Sequence, residues 1–77
     1  MKVQVKLVAT YRRYLPPDNN GKAEIEAAED ATAVSVLAAL GVPSAESVVL
    51  VDGRSPHPGE VLHEGSVIFA FPATAGG

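Results

Sequence analysis

The stretch Thr32-Ala-Val-Ser-Val-Leu-Ala-Ala-Leu-Gly-Val-Pro43 decides the architecture. Ala33, Val36, Leu37 and Leu40 fall at i, i+3, i+4 and i+7, which puts them on one face of a helix. Thr32 stands where a hydroxyl can accept a bond from a free first-turn N–H. Glu29 and Asp30, just upstream, suit the positive end of the helix dipole. Gly41 can take the left-handed position after the last turn, and Pro43 blocks continuation. One short amphipathic helix over about 33–40 therefore needs a sheet to bury its apolar stripe.

The flanks supply that sheet. Upstream, Lys2-Val-Gln-Val-Lys-Leu-Val8 alternates with period two, so Val3, Val5 and Leu7 share one face of a strand. The segment from Ala9 to Leu15 carries Tyr11, Arg12, Arg13 and Tyr14 and reads as a helical turn or irregular loop. Pro16-Pro17-Asp18-Asn19-Asn20-Gly21 is a dense turn. It returns the chain into a second strand at about 22–28, antiparallel to the first, with Ala23, Ile25 and Ala27 inward. Downstream, Val48-Val49-Leu50-Val51 is a short strand closed by Asp52-Gly53. Val61-Leu62 reads as a brief strand before the turn His63-Glu64-Gly65. Val67-Ile68-Phe69-Ala70-Phe71 is a last, continuously apolar strand ended by Pro72. Two strands, a helix, then more strands make an α+β domain with the helix on one sheet face, the order of the β-grasp, or ubiquitin-like, fold.

Composition narrows the function. The 77 residues allow one domain, expected over 1–72, with 73–77 as a flexible C-terminal tail. Hydrophobic residues are 47% and charged residues 19%, which argues against a disordered chain. The net charge of −3 disfavours binding to a phosphate backbone, so no nucleic-acid partner is expected. With no cysteine, thiolate metal sites, disulfides and cysteine nucleophiles are excluded. No apolar run approaches the ~18 residues of a membrane span, and the N-terminus alternates instead of forming a signal-peptide block. A cytoplasmic protein, monomeric when alone and without membrane attachment, is expected. His57 and His63 read as solvated loop residues, and no metal is expected. Glu24 and Glu26 read as a solvated strand face.

The tail is where chemistry is expected. Two final glycines, Gly76 and Gly77, arise by chance in roughly 0.5% of chains. They can be no more than a frayed end. Alternatively, a carboxylate on a thin arm without Cβ atoms can pass a narrow channel and approach a nucleotide closely. Activated as an acyl-adenylate, it becomes open to attack by sulfur or by an amine.

Three stretches then carry a resemblance. Lys2 to Leu15 is similar to the first strand and following "F-A-x-x-R-E" segment of the MoaD/ThiS family of ubiquitin-like sulfur carriers, with Arg12 on the family arginine. Thr32 to Pro43 resembles the family helix. Leu62-His-Glu-Gly-Ser-Val-Ile-Phe-Ala-Phe-Pro-Ala-Thr-Ala-Gly-Gly77 resembles "L-x-D-G-D-x-V-x-x-x-P-P-V-x-G-G". The departures are Val8 for a frequent Phe, Arg13 for an acid, Ser35 and Val36 in the helix, Ser66 for Asp and Ala73 for the second Pro. The resemblance implies a non-catalytic carrier that binds no cofactor itself. The Gly77 carboxylate, with Gly76 before it, would be adenylated by a ubiquitin-activating-type enzyme using ATP and Mg²⁺, then converted to a thiocarboxylate. The sulfur would go to a precursor held by the large subunit of molybdopterin synthase, or by thiazole synthase in the ThiS branch; the segment after the first strand favours the MoaD branch. A modifier conjugated to lysines uses the same carboxylate and stays open, as does a plain interaction domain.

The last strand leaves two registers. Side-chain size would bury Phe69 and Phe71 under the helix. The family register buries Ile68 and Ala70 and leaves Phe69 and Phe71 on the open sheet face, with Val8 there too, Arg12 beside it and Pro72 at its end. That face would dock the partners.

Overall fold

The computed structural model describes residues 1–43 and 45–73. Four strands, β1 (Lys2–Leu7), β2 (Lys22–Glu26), β3 (Ser47–Val51) and β4 (Val67–Pro72), and one helix, α1 (Ala33–Ala39), form the domain. Two 3-10 helices, Ala9–Tyr14 and Pro17–Asn19, lie between β1 and β2. The sheet order is β2-β1-β4-β3. The first strand pairs antiparallel with β2 and parallel with β4, and β4 pairs antiparallel with β3. This mixed sheet with one helix on one face is the β-grasp arrangement.

Alternation on β1 puts Val3, Val5 and Leu7 into the core with Ile68 and Ala70 of β4, against Ala33, Val36 and Leu37 of α1. Burying a side chain the size of Leu37 contributes about 1.5–3 kcal/mol. Tyr11, Leu15, Val42, Val51 and Leu62 close the core around its edges. The helix begins and ends as its local chemistry dictates. Thr32 Oγ1 accepts from the Ser35 N–H at 3.2 Å, and Ser35 Oγ accepts from the Thr32 N–H at 2.9 Å. Ser35, a departure from the family helix, thus completes a capping box. At the other end the Gly41 N–H donates to Ala38 O and the Val42 N–H to Leu37 O, both at 3.0 Å, around Gly41 at φ +89°. That is a Schellman stop.

Three segments differ from the sequence reading. The second strand ends at Glu26 instead of about 28: the Ala27 N–H makes a last in-register bond to Met1 O, and the chain then turns, with the Ala31 N–H donating to Ala28 O. Leu40 caps the helix and does not extend it. Val61-Leu62 is no strand; Val61 makes a single bridge to Thr32, while Leu62 drops into the core. The Asp52-Gly53 turn is a tight hairpin in which both residues have positive φ, +52° and +86°, as a two-residue turn between twisted strands requires.

Candidate functional site

The last strand has the register that buries its smaller side chains. Ile68 and Ala70 are 0% exposed and face α1, whereas Phe69 and Phe71 are half-buried on the opposite face. Burial of the phenylalanines by size is therefore overturned. The parallel pairing explains why: Ile68 lies beside Val5 and Ala70 beside Leu7, so the core face of β1 selects them. Once β1 fixes that parity, the next residues along β4 must point away.

On the open face the two rings meet edge to face, 5.7 Å apart and inclined at 72°. The register brings further residues to them. Phe69 lies between Lys6 of β1 and Leu50 of β3, and Phe71 lies beside Val48. Val48, Leu50 and Lys6 were not singled out from the sequence. The signal was present: β3 is apolar at four successive positions, Val48 to Val51, the pattern of a strand with two covered faces. Val8 follows Leu7 in extended conformation and is half-buried, which continues the outward parity of Lys6. The face is thus an apolar patch, Val48, Leu50, Phe69 and Phe71, beside a lysine.

Arg12 is exposed on the first 3-10 helix, and its Nη2 reaches across the corner to donate to Asn20 Oδ1 at 2.6 Å, at the end of the second. Among the described residues, neither a hydrogen bond nor a ring stack joins it to Phe69 or Phe71. The corner is closely fitted. Gly21 sits at φ +79°, and a Cβ there would lie 2.3 Å from Leu7 O.

Where β4 ends, the chain exit is held by its neighbours. Pro72 is half-buried and pairs with Ser47. Ser47 Oγ donates to Pro43 O, so its proton is committed, and the buried Tyr11 hydroxyl donates to Ser47 Oγ at 2.8 Å. The Ala73 N–H donates to Glu46 O at 2.7 Å, so the first residue of the expected free arm is tied to the domain. Gly76 and Gly77 lie outside the described residues.

The loop residues form small staples. Arg54 makes a two-pronged pair with Glu60, and the His57 N–H donates to Glu60 Oε1 at 3.0 Å. The Arg54 guanidinium first, and then the His57 N–H, hold the Glu60 carboxyl down to a pKa of about 2. His57 and His63 are exposed. Among the described residues no three His, Asp or Glu side chains converge on a point where a metal could sit. None of the described helices is long and apolar enough to cross a membrane. Ser66, where the resemblance has Asp, is 0% exposed and its Oγ accepts from the His63 N–H at 3.0 Å, so it keeps a turn-capping acceptor in less space.

A family model described as Mut7-C ubiquitin matches residues 1–76. No protein of curated function matches the chain in sequence. Among solved structures, SAMP1 from Haloferax volcanii is 22% identical, covers 100% of both chains and superposes with a TM-score of 0.75. A putative molybdopterin converting factor, subunit 1, from Pyrococcus furiosus is 22% identical over 95% of this chain and 98% of its own, with a TM-score of 0.73. The Haloferax volcanii HVO 2177 protein is 22% identical over 100% of this chain and 87% of its own, with a TM-score of 0.77. At this identity the likeness is one of fold.

Proposed function

The chain belongs to the Mut7-C ubiquitin family, and from that premise we propose that it is a sulfur carrier acting through the carboxylate of Gly77. The observation that carries the reading is the course of β4. The strand that presents Phe69 and Phe71 on the open face runs directly into Pro72 and the last residues of the sequence. A partner seated on that face would meet the end of β4, from which the tail continues.

The chemistry runs in three steps, catalysed by partner enzymes. A Gly77 carboxylate oxygen attacks the α-phosphorus of ATP, whose Mg²⁺ is held by a ubiquitin-activating-type enzyme, and pyrophosphate leaves. Hydrosulfide adds to the acyl carbon, and AMP leaves with the bonding electrons, giving a thiocarboxylate. The thiocarboxylate sulfur then adds to an electrophilic unsaturated carbon of a precursor held by the partner, whose π electrons move to the neighbouring atom and take a proton, and water cleaves the acyl–sulfur bond, leaving the sulfur on the precursor and returning the carboxylate. The domain itself contributes docking. Its apolar patch is bordered by Lys6, an arrangement that suits partner recognition. Gly76 and Gly77 carry no Cβ, so the arm can lie close to a nucleotide. The resemblance to MoaD chains, and the likeness to a protein described as a molybdopterin converting factor subunit, favour the molybdopterin synthase large subunit as the partner that holds the precursor.

The test is ATP–pyrophosphate exchange with the adenylating enzyme from the same cells. The full chain should support exchange, and a chain lacking Gly77 should not, with unchanged folding by circular dichroism. Undiminished exchange without Gly77 would defeat the proposal.

A further inference from the structure

We propose that the outer edge of β2 is a strand-docking site for an extended segment of another protein that alternates apolar and basic residues. This inference uses neither Gly77 nor the aromatic face and stands apart from the proposed function.

Three observations carry it. The first is hydrogen-bonding polarity. The Leu7 N–H donates to Gly21 O at 2.6 Å and the Ala27 N–H to Met1 O at 2.7 Å. Antiparallel alternation then turns the peptide groups of Gly21, Ala23, Ile25 and Ala27 toward β1 and those of Lys22, Glu24 and Glu26 outward. Because β2 is the end of the sheet, those outward groups have no strand partner among the described residues. The second is a groove of about 490 Å³ beside this edge, floored by Ile25, Ala27, Ala31, Val36, Ala39 and Leu40. The small alanines on α1 and before it leave room between helix and edge strand for side chains of an added strand. The third is charge. Glu24, Glu26, Glu29 and Asp30 surround the edge and the groove mouth, against Lys22 alone on β2. The Met1 amine, 2.9 Å from Glu26 Oε2 and 4.0 Å from Glu29 Oε1, and Lys2 Nζ, 4.0 Å from Glu24 Oε1, offset much of that charge; with Lys22 they set three cations against four carboxylates, an excess of one acid.

An added strand would exchange main-chain bonds with Lys22, Glu24 and Glu26, set alternate apolar side chains in the groove and place its basic residues against the acids. Main-chain pairing supplies the affinity in this mode, and the pockets supply selectivity.

The test uses a capped octapeptide, Lys-Val repeated four times, titrated into the isotopically labelled full chain. Binding should shift and protect the amides of Lys22, Glu24 and Glu26 together with groove residues. The Glu-Val counterpart should bind about tenfold or more weakly. Of two peptides N-methylated at all Lys or at all Val positions, one should lose a similar factor. The substitution Ala39→Leu fills the groove from an exposed helix position and should weaken binding while leaving the fold intact. The proposal is overturned if shifts centre on Phe69 and Phe71, if the Glu-Val or both N-methylated peptides bind equally well, or if Ala39→Leu has no effect. It is also overturned if the edge is occupied by a second copy, seen as concentration-dependent dimerisation that the peptide fails to reverse.

Discussion

Phe71→Ala and Ile68→Ala should have opposite consequences, although the residues are three apart on one strand. Ile68 is 0% exposed beneath the helix, and truncating it removes buried methyl groups and leaves a cavity. Such changes cost about 2–5 kcal/mol. At ~0.05–0.15 kcal/mol per residue, a chain of 77 residues holds only about 4–12 kcal/mol. Ile68→Ala should bring the domain close to unfolding. Phe71 is half-buried, and its loss removes an edge-to-face pair worth about 0.5–1.5 kcal/mol and a cross-strand contact with Val48 worth about 0.2–1 kcal/mol. The sum, about 0.7–2.5 kcal/mol, shifts a urea midpoint by roughly 0.8 M at a mid-range m-value of about 2 kcal/mol/M. Ile68→Val is the control, because its expected cost of about 0.5–1.5 kcal/mol matches Phe71→Ala without altering the open face. Urea unfolding and ATP–pyrophosphate exchange on all three variants decide the matter. Phe71→Ala should lower exchange kcat/KM about tenfold or more, and Ile68→Val should leave it near the unsubstituted value. Equal losses in those two variants, or unfolding of Phe71→Ala, would refute the docking face.

Two further outcomes are expected. Gly21→Ala places a Cβ 2.3 Å from Leu7 O at φ +79°, so urea unfolding should show a loss of about 2 kcal/mol or more, concentrated at the β1–β2 corner. Glu60 has a folded-state pKa of about 2, below its ordinary 4.5, so its pairing stabilises the fold fully above the ordinary value and fades as pH falls toward 2. A carbon-detected titration should show this depression in the unsubstituted chain and a partial reversal in Arg54→Ala, because the His57 N–H still donates to Glu60.

The elements that could be read from the sequence are those whose determinants are local. The helix was legible because Thr32, the apolar stripe and Gly41 each act within a few residues. The pairing of β1 with β2 followed from alternation and a turn. The orientation of β4 was not local, since Val67 to Phe71 is apolar on both faces and only the parallel pairing of Ile68 with Val5 selects the core side. Val48 and Leu50 went unassigned for the same reason: a fully apolar strand shows no face until its neighbour is known. Tyr11 anchors Ser47 across 36 positions of sequence, a partnership that the composition of Ala9–Tyr14 could not disclose. The hold of Glu46 on Ala73 likewise depends on where β3 begins.

The central claim is the chemistry of the Gly77 carboxylate, and intact mass measures it most directly. The protein should be isolated from its own cells under conditions that preserve thioacids. The account predicts a species heavier by about 16 Da, from exchange of one oxygen for sulfur, which a thiol-directed alkylating reagent then labels at the C-terminus. An unmodified mass under sulfur-replete growth, or only higher-mass adducts through lysine, would contradict it.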